Sequence, residues 1–190
     1  MNDMGMGTQQ MTVAGMIDAA EAGADVISMS FGGKATPERE KIYKEAIDYC
    51  RQKGSIVVTS AGNANVSATL NSPASSDQII VVASCNAKLE KSFFSNTVAE
   101  IDWAVSAPGQ KILSTHTKGS YKELSGTSMS APCVSGLAGI FRAFDPDLTD
   151  ETFFELIHET GSRGKDVDKI GPTIQPAEAF KQFLGQIPLQ

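Results

Sequence analysis

A serine at the start of a helix is a candidate nucleophile, and Ser125-Gly126-Thr127-Ser128-Met129-Ser130-Ala131-Pro132 sets one there. The stretch follows a short strand-like run, Tyr121 to Leu124, and opens a helix predicted from about Thr127 to Phe144. Backbone N–H groups at a helix N-terminus lack intrahelical acceptors, and the helix dipole favours negative charge there. The N–H of Ser128 can then help to bind the oxyanion that forms in acyl transfer. The small residues that follow, among them Ser130, Ala131, Ser135 and Gly136, suit a helix packed closely against neighbouring backbone. A Ser/Thr cap on a buried helix shares the short form of this signature, so the motif needs support from elsewhere.

A serine hydroxyl is a poor nucleophile near neutral pH and needs an adjacent base, most often histidine. The chain has two histidines. His116 lies in Leu113-Ser114-Thr115-His116-Thr117-Lys118, and His158 lies on a predicted helix near Phe154 and Ile157. Neither position gives it a catalytic assignment. The order Ser128, Asp145, His158 is that of an α/β-hydrolase. However, Gly126-Thr127-Ser128-Met129-Ser130 lacks the closing glycine of a nucleophile elbow, and 30 residues between Ser128 and His158 leave little room for the intervening strands.

The elements that must position these groups alternate along the first half. Val13, Met16, Ile17 and Ala20 recur at helical spacing, with Gly23 as a stop. Val26 to Ser30 reads as a strand. Thr36-Pro37-Glu38 is a helix start, with Thr as cap and Pro in the first position. Ile42, Tyr43, Ala46, Ile47 and Cys50 form its predicted apolar face, and Gly54 ends it. Ile56 to Val58 and Ile79 to Ala83 are further strands. Strands that read as unbroken apolar runs between amphipathic helices imply a parallel sheet covered on both faces, so the class is α/β. Shorter strand-like pieces follow at Trp103 to Ser106, Lys111 to Ser114 and Tyr121 to Leu124, and helices near Thr149 to Glu159 and Pro176 to Leu184 finish the chain. No repeat or linker divides residues 1–190, so one domain is expected.

Composition narrows the function classes. The chain of 190 residues is 41% hydrophobic and 20% charged, with a formal net charge of −6. That balance, without a Lys/Arg cluster, argues against a nucleic-acid surface. No run approaches the ~18 apolar residues of a membrane span. Met1 to Gln10 has neither a basic n-region nor an apolar h-region, so no signal peptide is expected there. Cys50, Cys85 and Cys133 fit neither a zinc site nor a disulfide scaffold and are read as three small buried residues.

The segment Gly126-Thr127-Ser128-Met129-Ser130-Ala131-Pro132 resembles the nucleophile motif of the subtilases, the subtilisin-like serine proteases. Further matches occur in family order over nearly the whole chain. Val26-Ile27-Ser28-Met29-Ser30-Phe31-Gly32-Gly33 resembles the strand that lines the family's substrate cleft, and Ser60-Ala61-Gly62-Asn63 the segment that ends in its oxyanion-hole asparagine. Pro73-Ala74 is similar to a turn beside the specificity pocket, Ala107-Pro108-Gly109 to a loop before the nucleophile, and Ile170-Gly171 to Ala177 to the closing segment.

The resemblance implies an endopeptidase with Ser128 as nucleophile, acting on peptide or protein substrates through an acyl-enzyme. The Asn63 amide and the Ser128 N–H would hold the oxyanion; by turn chemistry alone, Asn63 is equally a turn residue. Ser30, Phe31, Gly32, Gly33, Ser60, Ala61, Gly62 and Thr127 would line the substrate, with Phe31 to Gly33 and Ser60 to Gly62 flanking an extended peptide as added strands. Met129 would be a site of oxidative inactivation.

The family's Asp-Thr/Ser-Gly and His-Gly-Thr-His segments have no counterpart in these 190 residues. The resemblance therefore implies a parallel-sheet subtilisin-like fold without its N-terminal strands, inactive alone, with exposed apolar sheet surface. An N-terminal segment would supply Asp and His. The alternative is a non-catalytic relative that keeps the fold for binding. No cofactor is required. Glu100 and Asp102 resemble acidic positions near a weak calcium site of some subtilases, with two solvated carboxylates as the other reading. Family habit points to secretion and the unpaired cysteines point inside the cell, so localisation stays open.

Overall fold

Thr8 and Thr36 each open a helix by accepting a backbone N–H that the helix itself cannot satisfy. The computed structural model describes residues 7–186, so residues 1–6, most of the stretch read for a leader, lie outside the description. Thr8 Oγ1 takes the N–H of Met11 at 3.2 Å and starts α1, Gln9–Glu21. Gly23 follows with φ +78°, a left-handed turn that glycine makes without a Cβ clash. Thr36 Oγ1 takes the N–H of Arg39 at 3.3 Å and starts α2, Pro37–Gln52, with proline where no intrahelical N–H bond is lost. Tyr43, Ala46, Ile47 and Cys50 are buried as expected, but Ile42 is exposed. One residue before Tyr43 is a ~100° rotation about the helix, enough to turn Ile42 off a narrow buried stripe.

Eight strands occur among the described residues: β1 Val26–Met29, β2 Gly33–Lys34, β3 Ile56–Ser60, β4 Asn71–Ser72, β5 Ile80–Cys85, β6 Ala104–Pro108, β7 Ile112–His116 and β8 Ser120–Leu124. Four of them form a parallel sheet in the order β1-β3-β5-β6. Its register runs Val26↔Ile56, Val58↔Ile80 and Val81↔Ala104. Every residue of β3 and β5 is buried, which explains why both read as continuous apolar runs. Side chains alternate between faces. Val57 and Val81 pack with Ile27, Tyr43 and Ile47 on the α1/α2 side. Ile56, Val58, Ile80 and Val105 pack on the other side with Phe141 and Phe153.

That second layer is built by α3, Thr127–Phe144, α4, Asp150–Glu159, and α6, Pro176–Gln186, with the short α5, Val167–Ile170, between the last two. The boundaries of α3 agree with the sequence reading. Phe141 is fully buried, its ring stacked on Phe183 at 4.7 Å and edge-on to Phe153 at 5.6 Å. Burial of one such ring contributes about 1.5–3 kcal/mol, and the ring pairs add about 0.5–1.5 kcal/mol each.

The late strand-like pieces divide between two structures. Trp103 to Ser106 leads into β6 of the parallel sheet. β7 and β8 form a separate antiparallel hairpin, paired from Ile112↔Leu124 to His116↔Ser120 and almost wholly exposed. β1 is an edge strand of the sheet. Beside it an apolar cavity of about 390 Å³ opens between α1 and β1, walled by Met11, Met16, Ala19, Ile27, Met29 and Phe31.

Among the described residues, no helix is long and apolar enough to cross a membrane. Cys50 and Cys85 are buried, but Cys133 is exposed, because it lies on the outward face of α3. All three are free thiols.

Candidate active site

Ser128 is the second residue of α3, and Pro132 stands four residues further on within the same helix. Proline lacks an N–H, so the Ser128 carbonyl loses its usual intrahelical donor. The hydroxyl of Ser30 takes that place, with Oγ donating to Ser128 O at 3.2 Å. In return Ser128 Oγ donates to Ser30 O at 3.3 Å. This reciprocal pair fixes the half-buried Ser128 against the residue that follows β1. A carbonyl oxygen cannot take up a proton, so these contacts orient the hydroxyl without activating it.

Asn63 lies just beyond β3. Its Oδ1 accepts two hydrogen bonds from Thr127, from the backbone N–H at 2.8 Å and from the hydroxyl at 3.0 Å. With Oδ1 occupied, Nδ2 is the end left to donate. Thr127 Oγ1 also accepts the N–H of Gly62 at 3.1 Å. Thr127 is completely buried, so it meets Asn63 and Gly62 and has no surface to offer a peptide.

The loop that carries Asn63 is held from behind by Asn96, a residue to which no motif pointed. Asn96 is buried; its Oδ1 accepts the N–H groups of Ala64 at 3.0 Å and Val66 at 3.2 Å, and its Nδ2 donates to Ala61 O at 2.9 Å. Gly62 has φ +101°, and a Cβ there would lie 2.5 Å from Asn96 Nδ2. Both facts require glycine at this position. Only its sequence neighbours, Ser95 and Thr97, hinted that Asn96 sits in a polar turn.

Gly109 joins the nucleophile to the sheet. Its carbonyl accepts the N–H of Gly126 at 2.8 Å, and its own N–H donates to Cys85 O at 3.1 Å. A Cβ at Gly109 would run into the hydroxyls of Ser130 and Ser84. Ala107 and Pro108, expected in a loop, are the end of β6, and with Gly109 they set the height of the helix start.

Ser128, Asn63, Ser30, Phe31, Gly32, Ser60, Ala61 and Gly62 all border one cavity of about 140 Å³. Asn71, Ser72, Pro73 and Ala74 close it. Gly33 does not line it; it pairs with Ser72 in the β2–β4 ladder, which braces the cavity wall. Among the described residues, no ionisable side chain borders this cavity. The histidines lie elsewhere. His116 Nδ1 meets Thr117 Oγ1 on the hairpin, and the ring of His158 lies against Phe154 on α4. Burial and the nearby Arg163 hold the His158 pKa below its ordinary value, against the pull of Glu159. Asp145 accepts the backbone N–H of Asp147. Ser128, Asp145 and His158 thus form no hydrogen-bonded relay.

Glu100 Oε2 accepts the hydroxyl of Ser67 at 2.8 Å, and no group of three or more His, Cys, Asp or Glu side chains gathers among the described residues. Two carboxylates do not by themselves make up the six to eight oxygens that calcium takes.

A four-stranded parallel sheet with a helix-opening serine and an adjacent asparagine amide has clear relatives. A sequence model of the subtilase family matches residues 1–174, and the chain belongs to that family. It is 32% identical over 185 residues to subtilisin DY of Bacillus licheniformis, a match covering 96% of this chain and 66% of that protein. It is 41% identical over 140 residues to thermitase of Thermoactinomyces vulgaris, covering 74% of this chain and 48% of that protein. Among solved structures, a protease of Pseudoalteromonas arctica superposes with a TM-score of 0.84 at 27% identity, covering 93% of this chain and 59% of the other. A cold-adapted subtilisin-like serine proteinase gives 0.77 at 31% identity, covering 90% and 61%. The chain spans between about half and two thirds of the length of these relatives.

Proposed function

We propose that this chain carries the nucleophile and the oxyanion site of a serine endopeptidase, and that the proton-transfer groups come from a segment outside it. The observation that carries the reading is the grip of Thr127 on Asn63 Oδ1, which leaves the amide donor free beside Ser128. A peptide lies along Ser30 to Gly32 on one side and Ser60 to Gly62 on the other. The side chain before the scissile bond enters the 140 Å³ cavity. Ser128 Oγ attacks the carbonyl carbon and passes its proton to the supplied histidine. Asn63 Nδ2–H and the Ser128 N–H stabilise the oxyanion. The intermediate collapses as the amine leaves with that proton, and water then cleaves the ester. Among the described residues, the Ser128 hydroxyl donates only to the Ser30 carbonyl, which supports a base supplied from elsewhere.

The test is labelling by a fluorophosphonate probe, with Ser128→Ala as control. The chain alone is expected to label slowly or not at all. Addition of the N-terminal third of a close relative is expected to restore Ser128-dependent labelling and peptide hydrolysis. Rapid labelling of the chain alone would place a base within it. Failure of the complemented, folded protein to label would favour a binding role. In the active protein, Asn63→Ala should lower kcat by about 10²–10³, the order found for the corresponding asparagine of a subtilisin, with a smaller change in KM.

A further inference from the structure

We infer that Ser30 is the positioning residue of Ser128: its hydroxyl replaces the N–H that Pro132 removes from α3, and positions 30 and 132 are functionally coupled. The inference rests on the reading of Ser128 as the nucleophile. In an unbroken helix the N–H of residue 132 would donate to the carbonyl of residue 128, and the first turn would be held by the second. Pro132 has no such N–H and stands within α3, four residues after Ser128. Ser30 Oγ donates to the Ser128 carbonyl at 3.2 Å, across 98 residues of chain. Gly126, which caps α3, makes no side-chain hydrogen bond of its own. Ser128 is thereby referenced to the end of β1 instead of to its own helix.

A second hydroxyl tie runs along the same seam. Ser135 Oγ donates to Ser28 Oγ at 2.8 Å. Residues 28 and 30 fall on one face of the strand by its two-residue period, and residues 128 and 135 stand about two turns apart on one face of α3. The two ties differ in what they hold. The Ser135 hydroxyl also reaches the carbonyl of Ala131 at 3.1 Å, whereas the Ser128 carbonyl has no N–H at residue 132 to fall back on.

Ser30 meets Ser128 twice, because its own carbonyl accepts the Ser128 hydroxyl at 3.3 Å. That bond gives way when a base claims the proton. The bond from the Ser30 hydroxyl to the Ser128 carbonyl does not have to break, so it holds the backbone while the side chain turns to its base. In the proposed reading the peptide also lies along Ser30, so nucleophile and substrate share one reference point. Loss of the Ser30 hydroxyl should therefore appear in kcat and not in KM.

The first measurement needs no turnover: the carbonyl ¹³C shift of Ser128, read by NMR in the chain alone. Ser30→Ala should move it upfield, and Ser30→Cys, of similar shape and a weaker donor, should move it the same way. Ser30→Thr should keep it in place, and Ser28→Ala should leave it unmoved. Adding Pro132→Ala to Ser30→Ala supplies the missing N–H and should bring the shift back; Pro132 is exposed, so its replacement empties no core. In the complemented protein, Ser30→Ala should lower kcat about two- to tenfold, the scale of one hydrogen bond, with KM unchanged. The double variant should recover kcat.

The inference is overturned if Ser30→Ala leaves the Ser128 carbonyl shift where it was, if KM rises while kcat holds, or if the effects of the two substitutions simply add. A complemented natural protein that never turns over would sink the protease reading. The carbonyl shifts of the chain alone still decide whether Ser30 positions Ser128, so the two failures are told apart.

Discussion

Thr127 donates twice to one oxygen of Asn63, from its N–H at 2.8 Å and its hydroxyl at 3.0 Å, while it remains wholly buried. The residue before the candidate nucleophile thus acts through the candidate oxyanion donor. Thr127→Val keeps the shape and the N–H contact but removes the hydroxyl, which also strands the Gly62 N–H. In the completed enzyme this should lower kcat by about five- to thirtyfold, the scale of one or two lost hydrogen bonds, with KM little changed. Thr127→Ser should recover most of kcat. Equal losses in both variants would mean that Thr127 only fills space.

Asn96 supports the same loop from the opposite side. Replacement by Ala removes one donor and leaves two backbone N–H groups, of Ala64 and Val66, without their acceptor. A cost of about 2–4 kcal/mol is expected, measured by urea unfolding of the chain. Hydrogen exchange should show the extra opening concentrated in residues 61–66. Uniform loss of protection across the sheet would assign Asn96 to global stability instead.

The far side of the molecule is held by an ion pair that joins α2 to α4. The Arg51 guanidinium bonds both oxygens of Asp150 and lies over the Trp103 ring at 5.3 Å from its centroid. Both side chains are largely buried, 17% and 14% exposed. Asp150→Ala should cost about 2–4 kcal/mol, because it leaves the shielded guanidinium with only the exposed Glu151 carboxylate at 3.4 Å. The paired change Arg51→Met with Asp150→Leu should cost far less, since two apolar groups need no partner. A double-mutant cycle read by thermal unfolding checks this; additive losses would show that the pair is not coupled.

His158 makes stability depend on pH in a defined direction. Its folded pKa lies below the ordinary 6.5, chiefly through burial and secondly through Arg163. In the window between the folded pKa and about 6.5, the unfolded chain binds a proton that the folded chain refuses. Stability is therefore full above that window and falls as pH drops through it. His158→Gln should flatten the slope just below pH 6.5 in denaturant titrations. The steeper loss at lower pH, where Asp166 and Glu90 titrate from depressed values, should remain. An unchanged slope near pH 6 would remove His158 from the account.

Local chemistry was legible in the sequence, and long-range geometry was not. The limits of α3 and the cap at Thr36 follow from side-chain chemistry within one turn, so a linear reading finds them. The order β1-β3-β5-β6 joins strands from distant segments, and no local pattern encodes which edge meets which. Lys111 to Ser114 and Tyr121 to Leu124 read as strand-like pieces, but an exposed strand and a sheet-edge strand share the same short apolar-polar mixture, so their pairing with each other is not legible. Ser128 and Asn63 could be named from motifs. The bond of Thr127 to Asn63 and the support from Asn96 each depend on which way one side chain points across the fold. The resemblance groups Thr127 with the substrate-lining residues, and its burial moves it behind them.

The bonds that make the site span 98 residues from Ser30 to Ser128, 64 from Asn63 to Thr127 and 65 from Gly62 to Thr127. Contacts so distant along the chain carry the largest loop-closure penalty and slow the folding of any protein built on them. No fragment of local structure holds even a partial version of this constellation. A chain that has formed its helices but not its sheet still possesses the serine, and has nothing to align it. Once the missing base is supplied, chemical reactivity at Ser128 is for that reason a faithful reporter of complete folding, and half-folded copies stay silent.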